Sequence, residues 1–307
     1  MWRWKAVPLM LGLWAGTVAQ AQEVGNGSPG AMPDMTEHRG VVDDTWIVAP
    51  KRLPGATLAG VKNYADEGDI AAGVSLRYRI DNAQWIIADV FIYPAGEGDS
   101  AAMLRRAAED FRESVAYAER QQIYRNVWWG DESAYTATLP GGRTVEGRVL
   151  PIVFDAQQDM LASRAYLFYR KLYFVKIRLS TTVDAVESLA DDADSFIANL
   201  LGGVDIVSVG TCGRRMDLVM VPPGQTPPPD LKDGASSDGY RVLLRGGKPG
   251  TPAYAAQLAK TMTLAAKRQR ASGCTLLDYH PPLEDDTRAV LHLSFGPEDW
   301  GTSPKSP

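Results

Sequence analysis

Between Val74 and Leu201 the apolar residues of this chain switch from every second position to every third or fourth, and then repeat that switch. Few folds admit that order. Val74-Ser-Leu-Arg-Tyr-Arg-Ile80 alternates apolar with polar side chains, the pattern of a strand with one buried face. Trp85 to Tyr93 continues as a β-rich run ended by Pro94. Gly96 to Asp99 reads as a turn, with Ser100 as the N-cap of a helix. In that helix Leu104, Ala108, Phe111, Val115 and Ala118 form one apolar stripe, opposite Arg105, Arg106, Glu109, Asp110 and Arg112.

More strands follow. Ser133 to Leu139 and Thr144 to Phe154 flank Pro140-Gly141-Gly142-Arg143, a hairpin signal. Arg164 to Tyr169 and Leu172 to Leu179 form a second pair across a turn at Arg170-Lys171. Thr181-Thr-Val-Asp184 has the form of a capping box opening a second helix. Its apolar positions are Val186, Leu189, Ala193, Phe196 or Ile197, and Leu200, and Gly202-Gly203 ends it. The order predicts an α+β fold, a mainly antiparallel sheet with its two helices packed on it, α/β/α sandwich-like.

From Pro54 to about Leu201 the chain resembles the PsbP-like α/β/α sandwich family. The resemblance covers about half the chain and rests on element order and on two phrases, Gly73-Val-Ser-Leu-Arg-Tyr78 and Asp89-Val-Phe-Ile-Tyr-Pro94. It carries over no catalytic or binding motif. It implies a fold whose members serve mainly as binding or assembly modules.

A smaller C-terminal α+β module is expected over 204–296, after a first domain over 41–203. Val204 to Val209, Met216 to Val221, Tyr240 to Leu244, Thr275 to Tyr279 and Ala289 to Phe295 read as strands. Pro222 to Gly239 reads as a long loop. Thr251-Pro252 opens a helix to about Arg270 with Leu258, Met262 and Ala265/Ala266 as its buried stripe. An extension sharing one core with the first domain fits the same pattern. Residues 22–40 read as a flexible leader and 297–307 as a flexible tail.

The start of the chain reads as an export signal. Met1-Trp-Arg-Trp-Lys5 is cationic, Ala6 to Val18 is apolar, and Ala19-Gln20-Ala21 is a small-x-small cleavage pattern. The apolar run falls short of the roughly 20 residues a bilayer span needs. A signal peptide over 1–21, cut near Ala21, is therefore expected, with a periplasmic or secreted mature chain that has no transmembrane segment. In an oxidising compartment the two cysteines, Cys212 and Cys274, most simply form one disulfide. The sharper alternative makes Cys274 a nucleophile with His280 as its base.

A net charge of −5 without a Lys/Arg-dense stripe argues against nucleic acid, because phosphate neutralisation supplies most of that affinity. Three histidines, His38, His280 and His292, are too few for a His-rich metal site. His292 alternates with Leu291 and Leu293, which places it on a solvated face. No P-loop, Gly-x-Ser-x-Gly elbow or His-Glu-x-x-His helix occurs. Among the carboxylates, Asp66, Glu67 and Asp69 around Gly68 are the one candidate for Ca²⁺, against the plainer reading of a solvated turn. Asp191, Asp192 and Asp194, and Glu284-Asp285-Asp286, read as solvated faces.

Aromatic residues supply the remaining signal. One of Trp128 and Trp129 should enter the core and the other stay exposed, so a ligand pocket is sought at Trp128/Trp129 beside Arg125 and Tyr135. These observations predict a non-catalytic periplasmic binding or assembly module without a cofactor, with an envelope protein or a small ligand as partner. An envelope hydrolase using carboxylates or a Cys/His pair is the alternative. A subunit of a surface or secretion assembly, docking through the Pro222–Gly239 loop, is another.

Overall fold

In the computed structural model the described residues alternate between strands that pair with distant partners and three α-helices that cover them. It describes residues 41–81, 86–156, 159–296 and 299–300. The expected signal peptide and leader, and Trp85, lie outside the described residues. The first strands are β1 (Asp44–Pro50), β2 (Arg52–Leu53), β3 (Ala56–Asn63), β4 (Val74–Ile80) and β5 (Ile87–Pro94). Helix α1 (Ser100–Arg120) precedes β6 (Arg125–Trp129), β7 (Ser133–Thr138), β8 (Thr144–Ala156), β9 (Asp159–Arg170) and β10 (Tyr173–Thr182). Helix α2 (Ser188–Gly203) leads to β11 (Asp205–Val209), β12 (Asp217–Val221) and β13 (Arg241–Arg245). Helix α3 (Pro252–Ser272), β14 (Cys274–Thr275) and β15 (Arg288–Ser294) complete the set.

The large sheet runs β2-β3-β4-β5-β10-β9-β8-β6, with β7 on the other half of β8. Its neighbours are all antiparallel. Strand alternation divides its side chains between two cores. Leu150, Ile152, Leu167 and Phe174 meet Met103, Ala107, Phe111 and Val115 of α1. Leu76, Tyr78, Val90, Ile92, Val175 and Ile177 belong to a core with Ala193, Phe196, Ile197 and Leu200 of α2. The helices therefore cover opposite faces, the α+β sandwich-like arrangement that the periodicities require. Truncating Phe111, 3 % exposed, should cost about 3–5 kcal/mol by the general cost of emptying a core aromatic site.

A small sheet, β14-β11-β1-β15, lies on the α2 side and shares that core through Ile47, Ala49, Leu291 and Leu293. Strand β1, from the start of the described chain, is paired on both sides by strands that follow residue 203. A buried hydroxyl chain ties the two sheets together. Tyr173 Oη donates to Thr45 Oγ1 at 2.7 Å, and Thr45 Oγ1 lies 2.9 Å from Ser208 Oγ. Tyr78 Oη adds a 2.7 Å bond to the Pro50 carbonyl. β12 and β13 pair in parallel as a separate two-stranded sheet, with α3 packed on β13.

Several local expectations shift. Asp99, not Ser100, caps α1, its side chain accepting from Ala102 N–H. Strand β10 runs to Thr182 and consumes the expected capping box, because buried Thr181 continues the ladder to β9, so α2 starts only at Ser188. The β9–β10 turn is Lys171-Leu172, both at positive φ (50° and 71°). Thr251 caps α3 as expected, but the buried stripe is Thr261, Ala265 and Gln269, with Leu258 and Met262 only half-buried. The Gln269 amide explains the rotation: it donates to Gly239 O and accepts from Thr275 Oγ1 and Leu276 N–H. The strand expected over 275–279 ends at Thr275. The Pro222–Gly239 crossover is pinned by Leu231 and Ala235, both fully buried. Within the expected tail, Trp300 packs on Tyr173 and Phe295, with ring centroids 5.7 and 5.2 Å apart.

Cys212 and Cys274 are joined, with Cα atoms 5.6 Å apart and a sequence separation of 62. In the chain-entropy view a loop of that size contributes up to roughly 4 kcal/mol. Denaturant unfolding with and without reductant should show the reduced protein less stable by about 2–4 kcal/mol, with a higher m-value because the unlinked denatured chain exposes more surface.

Candidate functional site

At Lys51 the chain passes from the small sheet into the large one. Lys51 N–H donates to Thr287 O at 2.7 Å, and its carbonyl accepts from Leu58 N–H at 2.9 Å. From that corner two sheet edges diverge, β3 beyond its short pairing with β2 and β15 at the end of the small sheet. They are drawn together again where Asn63 Nδ2 donates to His292 O at 3.0 Å. Between these closures lies an open groove of about 550 Å³, lined by Val61, Lys62, Asn63, Asp66, Glu67, Val290 and His292 among others. A second depression of about 370 Å³ shares Val61 and extends to Lys51 and Glu284.

Local sequence explains both walls. A register slip between Leu58 and Gly60 bulges β3 and re-aims Val61, which is 52 % exposed. The loop carrying Asp66 and Glu67 closes through Tyr64 N–H to Gly73 O, and Asn63 Oδ1 accepts from Ala65 N–H. Gly73 is required there: its φ is +67°, and a Cβ would lie 2.1 Å from Ile92 O. On the opposite wall His292 stacks on Trp46, ring centroids 4.9 Å apart at 11°, and its Nε2 lies 2.8 Å from Asp44 Oδ1.

Most charges in the walls are matched locally. Lys62 reaches Glu67 at 2.8 Å and lies over the Tyr64 ring; Lys51 reaches Glu284 at 2.7 Å. Beside the groove, hydrogen bonds from Thr287 and Arg288 hold the Asp285 carboxyl far below the usual carboxylate range. Between these pairs the lining adds Val61, Asn63, Asp66, Val290 and Leu291. Such a surface holds a ligand by shape and main-chain hydrogen bonds.

The sequence-derived candidates distribute as follows. Asp66 and Glu67 line the groove, Asp69 lies outside its lining, and among the described residues no three His, Cys, Asp or Glu converge as a metal site. Trp128, Trp129 and Arg125 share β6, but the two tryptophans face opposite sides of the sheet, opposite Val153 and Ile152. The structure buries neither, at 52 % and 41 % exposure, because β6 is an edge strand. Trp129 meets Phe111 edge-on and the Arg112 guanidinium. Tyr135 is not with them. It pairs with Gly147, six residues or about 20 Å along β8 from the Trp128 partner, and donates to Asp194 of α2 at 2.6 Å. Cys274 is bonded to Cys212, so its sulfur is not available as a nucleophile for His280.

A further cluster escaped the sequence reading. Lys176 of β10 keeps a little solvent contact, yet its Nζ lies 4.4 Å from the Phe91 ring centroid, 5.7 Å from Phe111 and 5.8 Å from Tyr93. Asp89 and Asp110 stand nearby, and Asp89 is held by Arg77 at 2.7 and 3.2 Å. Lys176 lies within the expected Leu172–Leu179 strand, where nothing singled it out; the signal missed was the aromatic content of Phe91, Tyr93 and Phe111 on neighbouring elements.

No family model and no curated protein matches this chain. Among solved structures, a Pseudomonas aeruginosa protein of unknown function is similar at 15% identity and a TM-score of 0.27, over 39% of this chain and 83% of that one. A likeness of that size carries no argument about fold or function.

Burial, reinforced by Arg178, lowers the Lys176 ammonium to about 8, against the partial opposition of Asp110 and Asp89. Unfolded lysine holds its proton to about 10.4. Below about pH 8 both states are charged and the burial cost is complete; between those values only the unfolded state is protonated, so stability rises with pH. Urea unfolding from pH 7 to 10.5 should show the stability of the native chain rising relative to Lys176→Met, at ~1.4 kcal/mol per pH unit where steepest.

Proposed function

We propose that this chain is a non-catalytic binding module of an oxidising compartment outside the cytosol, and that its ligand occupies the groove between β3 and β15. The observation that carries the reading is the convergence of Val61, Asn63 and Glu67 with Val290 and His292 in one concavity, from segments more than two hundred positions apart. A concavity with a few convergent polar groups is the default place to seek a ligand on a globular fold. The cysteine pair and the export-like start support the compartment. The PsbP-like element order adds weight to binding over turnover.

A second reading, docking in an assembly, rests on Trp128 and Trp129, two exposed tryptophans on one edge strand. Tryptophan and arginine are the residues that most often anchor protein interfaces.

Ligand-observed NMR screening of small polar molecules and short peptides against the full chain discriminates the two. Hits for the groove should weaken at least tenfold with Val61→Trp, which fills the concavity from an exposed strand position, and stay unchanged with Trp128→Ala. The opposite pattern would transfer the site to β6.

A further inference from the structure

The hydrogen bonds along β15 define which of its backbone groups face the groove. Phe295 N–H donates to Asp43 O, and Thr287 O accepts from Lys51 N–H, both across the β1 ladder. In an antiparallel ladder alternate residues direct N–H and C=O to the same partner. Residues 289, 291 and 293 therefore face β1, and Arg288, Val290, His292 and Ser294 face outward. The Asp285 N–H to Arg288 O and Asn63 Nδ2 to His292 O bonds agree with this assignment. On β3, Tyr64 N–H to Gly73 O fixes Lys62 and Gly60 toward β4, so Val61 and Asn63 face the groove.

Among the described residues the groove thus presents to each other two main-chain edges without a strand partner, centred on Val61 and Val290. Its length is bounded by the Lys51 corner and the Asn63–His292 bond. Leu58 to Asn63 spans about 17 Å, room for a few extended residues and no long strand. Lys51 and Lys62 are matched by Glu284 and Glu67, His292 Nε2 lies against Asp44, and Asp66 adds a further carboxylate to the lining, so the flanking charges argue against an anionic occupant. What the β3 and β15 edges leave to be satisfied is backbone donors and acceptors.

We infer that the groove captures a short, extended peptide segment of a separate polypeptide, without net negative charge, which pairs its main chain with the open edges at Val61 and Val290. The inference rests on the groove being the binding site and names its ligand class. Recognition of this kind draws affinity from main-chain hydrogen bonds and specificity from alternate side chains.

The test uses the full chain and a pooled set of N-acetylated, C-amidated tetrapeptides, read by amide exchange in heteronuclear NMR. Added peptide should slow exchange at Val61, Val290 and His292 at least tenfold. Val290→Pro deletes an outward N–H that β1 does not use, on an edge strand where proline is tolerated, and should weaken binding at least tenfold. N-methylation of alternate peptide amides repeats the test from the ligand side should that variant fold poorly. Full binding by N-methylated peptides, or by Val290→Pro, overturns the inference. So does protection of Val61 and Val290 before peptide is added, which would make this chain its own occupant. Groove binding by small molecules with no peptide binding sinks strand pairing alone; binding by neither sinks the groove as well.

Discussion

One uninterrupted stretch of backbone, Asp44 to Leu53, belongs first to the small sheet and then to the large one. That constraint fixes the rest. β1 must carry partners on both sides, so β11 and β15 have to return to it from the far end of the chain. The turn at Lys51 sets the angle at which the two sheet edges part. The hydroxyl chain of Tyr173, Thr45 and Ser208 then locks the sheets at one spacing, because a buried hydroxyl without a partner costs about 1–3 kcal/mol.

Local elements were legible in the sequence where one period held over a whole turn or strand. The stripe of Leu104, Ala108, Phe111 and Val115 (Ala118, expected with them, is only half-buried), the Pro140–Arg143 hairpin and the Thr251 cap all declare themselves through neighbours a few residues away. Helix α3 shows where that legibility fails. Counting apolar residues selects Leu258 and Met262, whereas the helix seats Gln269, whose amide satisfies three groups in two other segments. No periodicity reveals a polar side chain that is buried because its partners are.

The candidate site was readable only in pieces. The acids near Gly68 and the lone His292 each stand out as chemistry-bearing residues, yet nothing in the sequence places them on facing walls. Asn63 and His292 are 229 positions apart. Their approach depends on strand register, which is set by both sheets at once and not by any local phrase. The paired tryptophans were the stronger sequence signal, but an edge strand gives them no common pocket, since neighbours along a strand point opposite ways.

The covalent link between Cys212 and Cys274 makes a closed ring of everything between them: the parallel pair β12–β13, the proline-rich crossover and helix α3. Cleavage of the peptide backbone anywhere inside that ring opens it without releasing a fragment. The severed ends stay within reach of each other and of the same packing partners. A nicked molecule of this protein would therefore travel as one species until its sulfurs were separated, a form of durability the hydrophobic core alone does not confer.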